Sequence, residues 1–139
     1  VVDGAGILDF GSGTTNGIIL PVVSTLPATP VNGTFLMDKT DLKIKVYQNG
    51  AWVDISDPGS VASVTFNESA EGGRGVIIGA ETSTAEGILV LESDTKALIL
   101  PKVENPHLNV KSPFPGTMCY DTASKTVAIF DGLKWNYWK

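Results

Sequence analysis

Hydrophobic and polar positions alternate along this chain in short runs, cut by Gly, Pro, Asn and Asp. The clearest run is Leu42–Gln48, with Leu42, Ile44 and Val46 on one side and Lys43, Lys45 and Tyr47 on the other. A period of two predicts a half-buried strand. Asn49-Gly50 comes next; this pair suits a type I′ hairpin turn, which needs φ > 0 at both central positions. Ala51–Ile55 and Gly33–Asp38 complete a predicted three-strand meander. A further strand is predicted over Gly17–Val23. Pro21 cannot donate to a ladder, so it marks a strand end, a bulge or a sheet edge. Leu26 to Asn32 carries two prolines and reads as an extended surface loop. Ala62, Val64 and Phe66 alternate with polar neighbours, and Val76-Ile77-Ile78 forms a short apolar run. From Val1 to Glu86 no apolar pattern recurs at i, i+3, i+4 and i+7. Helix is predicted to be near zero, with no more than a short turn of it.

The meander recurs. Gly87-Ile88-Leu89-Val90-Leu91 matches Gly6-Ile7-Leu8-Asp9-Phe10, and Ala97-Leu98-Ile99-Leu100-Pro101-Lys102-Val103 matches Gly17-Ile18-Ile19-Leu20-Pro21-Val22-Val23. After a Pro-bearing loop, Gly116-Thr117 matches Gly33-Thr34, Asp121 matches Asp38, Val127 and Ile129 match Ile44 and Val46, and Trp135 matches Trp52. The offset is 80 before the loop and 83 after it, a difference the loop absorbs. We therefore read a single all-β domain or filament subunit over 1–139. It has an internal repeat at 6–55 and 87–138, and an insert at 56–86. Ser56-Asp57-Pro58-Gly59-Ser60 is the breaker cluster at the boundary. The expected fold is short antiparallel strands in a sandwich- or barrel-like arrangement of two related β-units, each burying its apolar face against a neighbour.

Particular residues carry a resemblance. They are Leu20-Pro21, Gly33-Thr34, Val46-Tyr47 and Gly50-Ala51-Trp52, then Leu100-Pro101, Pro115-Gly116-Thr117, Tyr120-Asp121-Thr122, Ile129-Phe130-Asp131-Gly132 and Trp135. At these positions the chain resembles a repeat of secreted Bacteroidetes surface proteins and of phage tail-fibre-like proteins. The first copy departs from that pattern, since Leu36-Met37-Asp38-Lys39 lacks the Tyr. The motifs are turn glycines and packing aromatics. The resemblance thus implies an extracellular fibre, adhesin or surface-structure component and no active site.

Composition narrows the function classes. The formal net charge is −5, and Arg74 is the single arginine. No basic cluster could track phosphates, so nucleic acid is not an expected partner. No apolar run reaches the length of a membrane span. Cys119 is the sole cysteine, so no intrachain disulfide can form. The first residue is Val1, which fits either a processed start or a fragment.

Candidate chemistry is sparse. His107, the one histidine, falls in the Pro-rich loop and is expected to be solvated or locally bonded. Cys119 alternates with Met118 and Tyr120 at the position of Leu36 and reads as a small core residue. Asp38, Asp41, Asp54 and Asp57 are spaced through turns without the alternation of a calcium loop. Gly72-Gly73-Arg74-Gly75 has the composition of a phosphate loop, but no helix follows it. Trp52 and Trp135 read as packing residues. Neither an enzyme nor a cofactor is expected.

Two surfaces are left. The apolar N-terminal run, including Val1, Val2, Ile7, Leu8 and Phe10, must pair with Gly17–Val23 or be donated to a neighbouring subunit. Tyr137 and Trp138 have no aromatic counterpart in the first copy and form a candidate contact surface. The expectation is a secreted structural subunit that self-associates into a homo-oligomer or filament. The alternative is a carbohydrate-binding module or adhesin tip, with a glycan on the terminal aromatics.

Overall fold

The computed structural model describes residues 6–10, 13–66, 69, 72, 73 and 75–139. The strands are β1 (Gly6–Asp9), β2 (Ile18–Ile19), β3 (Val22–Val23), β4 (Phe35–Asp38), β5 (Lys43–Gln48), β6 (Ala51–Asp54) and β7 (Val76–Ile78). They continue with β8 (Leu89–Leu91), β9 (Ala97–Ile99), β10 (Lys102–Val103), β11 (Thr117–Asp121), β12 (Thr126–Phe130) and β13 (Trp135–Trp138). One turn of helix, α1 (Pro106–Asn109), interrupts the second Pro-bearing loop. The protein is all-β.

Two sheets dominate, and they share one topology. The first has the order β3-β4-β5-β6; the second has β10-β11-β12-β13, with β2 added on β11. Strand pairs correspond at the offset read from the sequence. Met37 faces Ile44 as Tyr120 faces Val127, and Lys45 faces Asp54 as Ala128 faces Tyr137. Turns correspond as well. Thr34 and Thr117 each close a loop by donating their hydroxyls back to Val31 and Phe114, at 2.7 and 2.6 Å. Gly33 and Gly116 take φ of 91° and 85°, in the left-handed region where glycine is at no disadvantage.

The core lies between the sheets. Met37 and Ile44 from the first meet Met118 and Ile129 from the second, with Leu20, Val22, Phe35, Leu100 and Val127 packed around them. Trp138 completes the joint, its ring edge-on to Phe35 at 6.5 Å. A second cluster, Val103, Val110, Cys119 and Ala128, fills the outer face of the second sheet beneath the α1 loop.

Several expectations change. The strands are not uniformly antiparallel: β1 and β9, β3 and β4, β7 and β8, and β10 and β11 pair in parallel. The Pro-bearing loops are long enough to cross over before each central strand, and alternation along a strand does not record its neighbour's direction. Leu42 is not in β5; at φ 62° it closes the turn before it. The polar face of β5 is not open to solvent either, because Lys45 is buried. Residues 62–66 form no strand, and Phe66 lies under the Lys39 ammonium at 3.8 Å. The described part of the N-terminal run does not pair with Gly17–Val23: β1 lies parallel to β9 within its own chain. Ile7, Leu8 and Phe10 belong to the described part of that run, whereas Val1 and Val2 lie outside the described residues.

Candidate self-association surface

Exposed apolar side chains lie on and beside the short ladders outside the two main sheets, as well as on β2, β13 and the loops. Among the described residues β7 and β8 pair only with each other, closed by Val76 N–H to the Ile88 carbonyl at 2.8 Å and Glu92 N–H to the Ile78 carbonyl at 2.9 Å. β1 and β9 form the other two-stranded ladder. The β-branched and Leu-rich runs Val76-Ile77-Ile78 and Leu89-Val90-Leu91 favour strand, and the intervening polar, Gly-rich segments end them. Gly79 makes the close approach possible. At φ 104° it lies so near Glu92 that a Cβ there would be 2.0 Å from the Glu92 carbonyl oxygen and 2.4 Å from Ile7 Cδ1. That contact brings the two ladders together and buries Ile7.

Val76, Ile88 and Leu89 are left 58, 64 and 45% exposed, and Leu98 and Ile19 are exposed too. An isolated two-stranded ladder is marginal in water without a further apolar layer. Clustered exposed apolar side chains mark a surface that another molecule covers.

The terminal aromatics are partly engaged. The Tyr137 hydroxyl lies 2.9 Å from His107 Nδ1, with the rings edge-on, and the Trp138 ring is held on Phe35. Burial pushes the Tyr137 phenol up, with the Asp121 and Cys119 charges adding to it. Beside Tyr137 is a shallow depression of about 690 Å³, lined by His107, Phe130, Leu133, Lys134 and Trp135 among others. The first sheet fills the matching region differently. There Lys45 Nζ binds Asp41 at 2.5 Å and Asp54 at 2.7 Å, and Lys43 binds Asp54 at 2.6 Å. Ala128 and Tyr137 stand in place of Lys45 and Asp54.

The other candidate residues are structural. Cys119 is fully buried, and burial together with the Asp121 charge pushes its thiol up to about 12. Asp121 caps the turn after β11: its carboxylate accepts from the N–H groups of Asn105 and Ala123 and from the Ser124 hydroxyl at 2.6 Å. Asp57 pairs with Lys134 at 2.7 Å across the two units. Among the described residues no group of three or more His, Cys, Asp or Glu could hold a metal ion, and no helix is long and apolar enough to cross a membrane. The exposed ladder face escaped sequence reasoning. Its apolar runs look like any buried strand, and only their exposure in the fold sets them apart.

Residues 77–139 match the family model of the phage tail like trimerisation region. The stretch takes in β8 to β13 and most of β7. No curated protein and no solved structure matches the chain. The family match supports the resemblance to phage tail-fibre-like proteins, and with it a fibre-type structural subunit that self-associates.

Proposed function

We propose that this chain is a non-enzymatic structural subunit of an extracellular fibre, and that three copies associate through the apolar face of the two-stranded ladders. The exposure of Val76, Ile88 and Leu89 at the β7-β8 ladder, which among the described residues pairs with no further strand, carries this reading. Three copies about one axis would give each ladder the apolar neighbour it lacks. Secretion, and kinship with Bacteroidetes surface proteins, belong to the same proposal. Donation of the N-terminal strand would require Gly6–Asp9 to leave β9, and the ladder contact needs no such exchange. The full chain in analytical ultracentrifugation should sediment as a trimer. Ile88→Asp with Leu89→Asp should give monomers that keep the β circular dichroism spectrum. A wild-type chain that stays monomeric at high concentration rejects the reading.

A second reading attaches to the depression beside Tyr137, a residue 42% exposed next to His107 and Trp135. An aromatic face with polar neighbours suits a sugar ring. A glycan array with tryptophan fluorescence titration tests it; no response to any sugar, and no difference on Tyr137→Ala, removes it.

A further inference from the structure

The outer edge of β11 is covered by two strands. β10 pairs with its C-terminal part, Lys102 facing Tyr120 and Val103 facing Asp121. β2, arriving from the first half of the chain, pairs with its N-terminal part, Ile19 facing Thr117 and Ile18 facing Met118. The Leu20 N–H then donates to the Gly116 carbonyl at 3.0 Å. The counterpart of β11 in the first sheet is β4. β3 covers its C-terminal part in the same register, Val22 facing Met37 and Val23 facing Asp38. Among the described residues no strand pairs with the outer edge at Thr34 and Phe35. The surroundings agree: a Cβ on Gly116 would meet Leu20 atoms at 3.1–3.4 Å, whereas a Cβ on Gly33 would meet nothing within 4 Å.

The chain also holds the strand that the repeat offset assigns to this open slot. Ile18-Ile19-Leu20-Pro21 steps from the second sheet, through β2, to β3 in the first. Its counterpart Leu98-Ile99-Leu100-Pro101 runs from β9 into β10 of the second sheet. Among the described residues the β9 end pairs only with β1, and a strand has two edges. Leu98 is exposed, whereas Ile18, seated on β11, is half-buried.

The geometry points to a head-to-tail contact between copies, in which Leu98–Leu100 of one chain enters the Gly33–Phe35 slot of the next. The strands run antiparallel, with Ile99 opposite Thr34 and Leu98 opposite Phe35, and Leu100 N–H donates to the Gly33 carbonyl. This rests on the self-association reading and specifies its backbone contact. Main-chain hydrogen bonds along a sheet edge supply the affinity. Such a contact uses different surfaces on the two partners, so it closes into a ring or continues as a filament. One residue weakens it. A Cβ on Gly17 would lie 2.6 Å from the Met118 carbonyl oxygen, and its counterpart Ala97 carries that methyl. The incoming strand must stand slightly off the β4 edge.

Cysteine cross-linking of the full chain tests the slot. Thr34→Cys chains are mixed with Ile99→Cys chains under mild oxidation, with Cys119 either retained or changed to Ala. Retention is workable because Cys119 is buried and its thiol is pushed up to about 12. The expected product is a Thr34→Cys/Ile99→Cys heterodimer, since residues facing each other on antiparallel strands come within disulfide reach. Ala97→Gly should tighten association several-fold. An oligomeric wild type with no such cross-link overturns the slot and leaves the self-association reading standing. A bond formed within one chain of the double variant at high dilution also overturns the slot, as does an Ala97→Gly chain that associates no more tightly. A monomeric wild type overturns both.

Discussion

Gly59 lies directly against Asp131: a Cβ on Gly59 would sit 1.8 Å from the Asp131 carbonyl oxygen. Around this contact the 56–60 segment fastens the two units together. Ser60 N–H donates to the same carbonyl at 2.7 Å, Gly59 N–H reaches Leu42 in the first unit at 2.8 Å, and Asp57 pairs with Lys134. The breaker cluster is a seam between the sheets.

Gly59→Ala should therefore destabilise the fold by at least about 2 kcal/mol, as forced overpacking against backbone does. Gly72→Ala, where a Cβ meets nothing within 4 Å, should stay within about 0.5 kcal/mol of wild type. Urea unfolding of the two variants compares them directly. Equal midpoints would show that the seam can yield.

Trp52 and Trp135 pack across their hairpins on Tyr47 and Phe130, at ring separations of 5.3 and 5.6 Å, and both remain half-buried. Full burial would make Trp→Ala cost about 3–5 kcal/mol. Here each substitution should cost about 1–3 kcal/mol, with Trp135 the larger because it also meets the Cys119 cluster. Thermal denaturation ranks them, and a reversed order contradicts the assignment.

Acid should weaken the fold partly through Asp121. Burial would raise its pKa, but hydrogen bonds from the Ser124 hydroxyl and from the Ala123, Asn105 and Ser124 N–H groups hold it below the ordinary 3.8. Because the folded value lies below the unfolded one, the stabilisation is fully present above the ordinary carboxylate range. It is lost as pH falls through the lowered folded value. Asp121→Asn should be less stable at pH 7 and should lose less stability between neutral pH and strong acid. Parallel stability–pH curves for wild type and variant would contradict this.

Cys119 should resist thiol reagents in the native state, since it is fully buried and its thiolate is disfavoured. A maleimide should label it at the rate of unfolding and completely in denaturant. Rapid native labelling would mean that the α1 loop opens.

Lys45 is buried with Asp41 and Asp54, whose carboxylates stay more than a third exposed. Burial works to lower its pKa, and the hydrogen bonds it donates to the two carboxylates, together with their charges, outweigh this and raise it. Replacing a buried charge with an apolar chain of similar size is often neutral or better. Lys45→Met should shift stability by less than about 1 kcal/mol, because the two carboxylates remain in water. A loss above about 3 kcal/mol on chemical denaturation would make the ion cluster an anchor of the first sheet.

The sequence by itself determined the local features. Leu42–Gln48 gave away β5 by its period of two, Asn49-Gly50 its turn, and the Leu-Pro, Gly-Thr, Asp and Trp series the matched order of the two sheets. These signals depend on neighbours a few residues apart or on the chain matching itself. Only the tertiary structure decided which strands pair and in which direction. Alternation says that Ile18 or Leu98 has a buried side, yet not that one sits on β11 and the other beside β1. Lys45 reads as solvent-facing until Asp41 from the preceding turn and Asp54 from the neighbouring strand enclose it. Val76, Ile88 and Leu89 sit in apolar runs like those of buried strands, and the fold leaves them exposed. Pairing and covering are set by contacts far apart in sequence, and no local pattern records them.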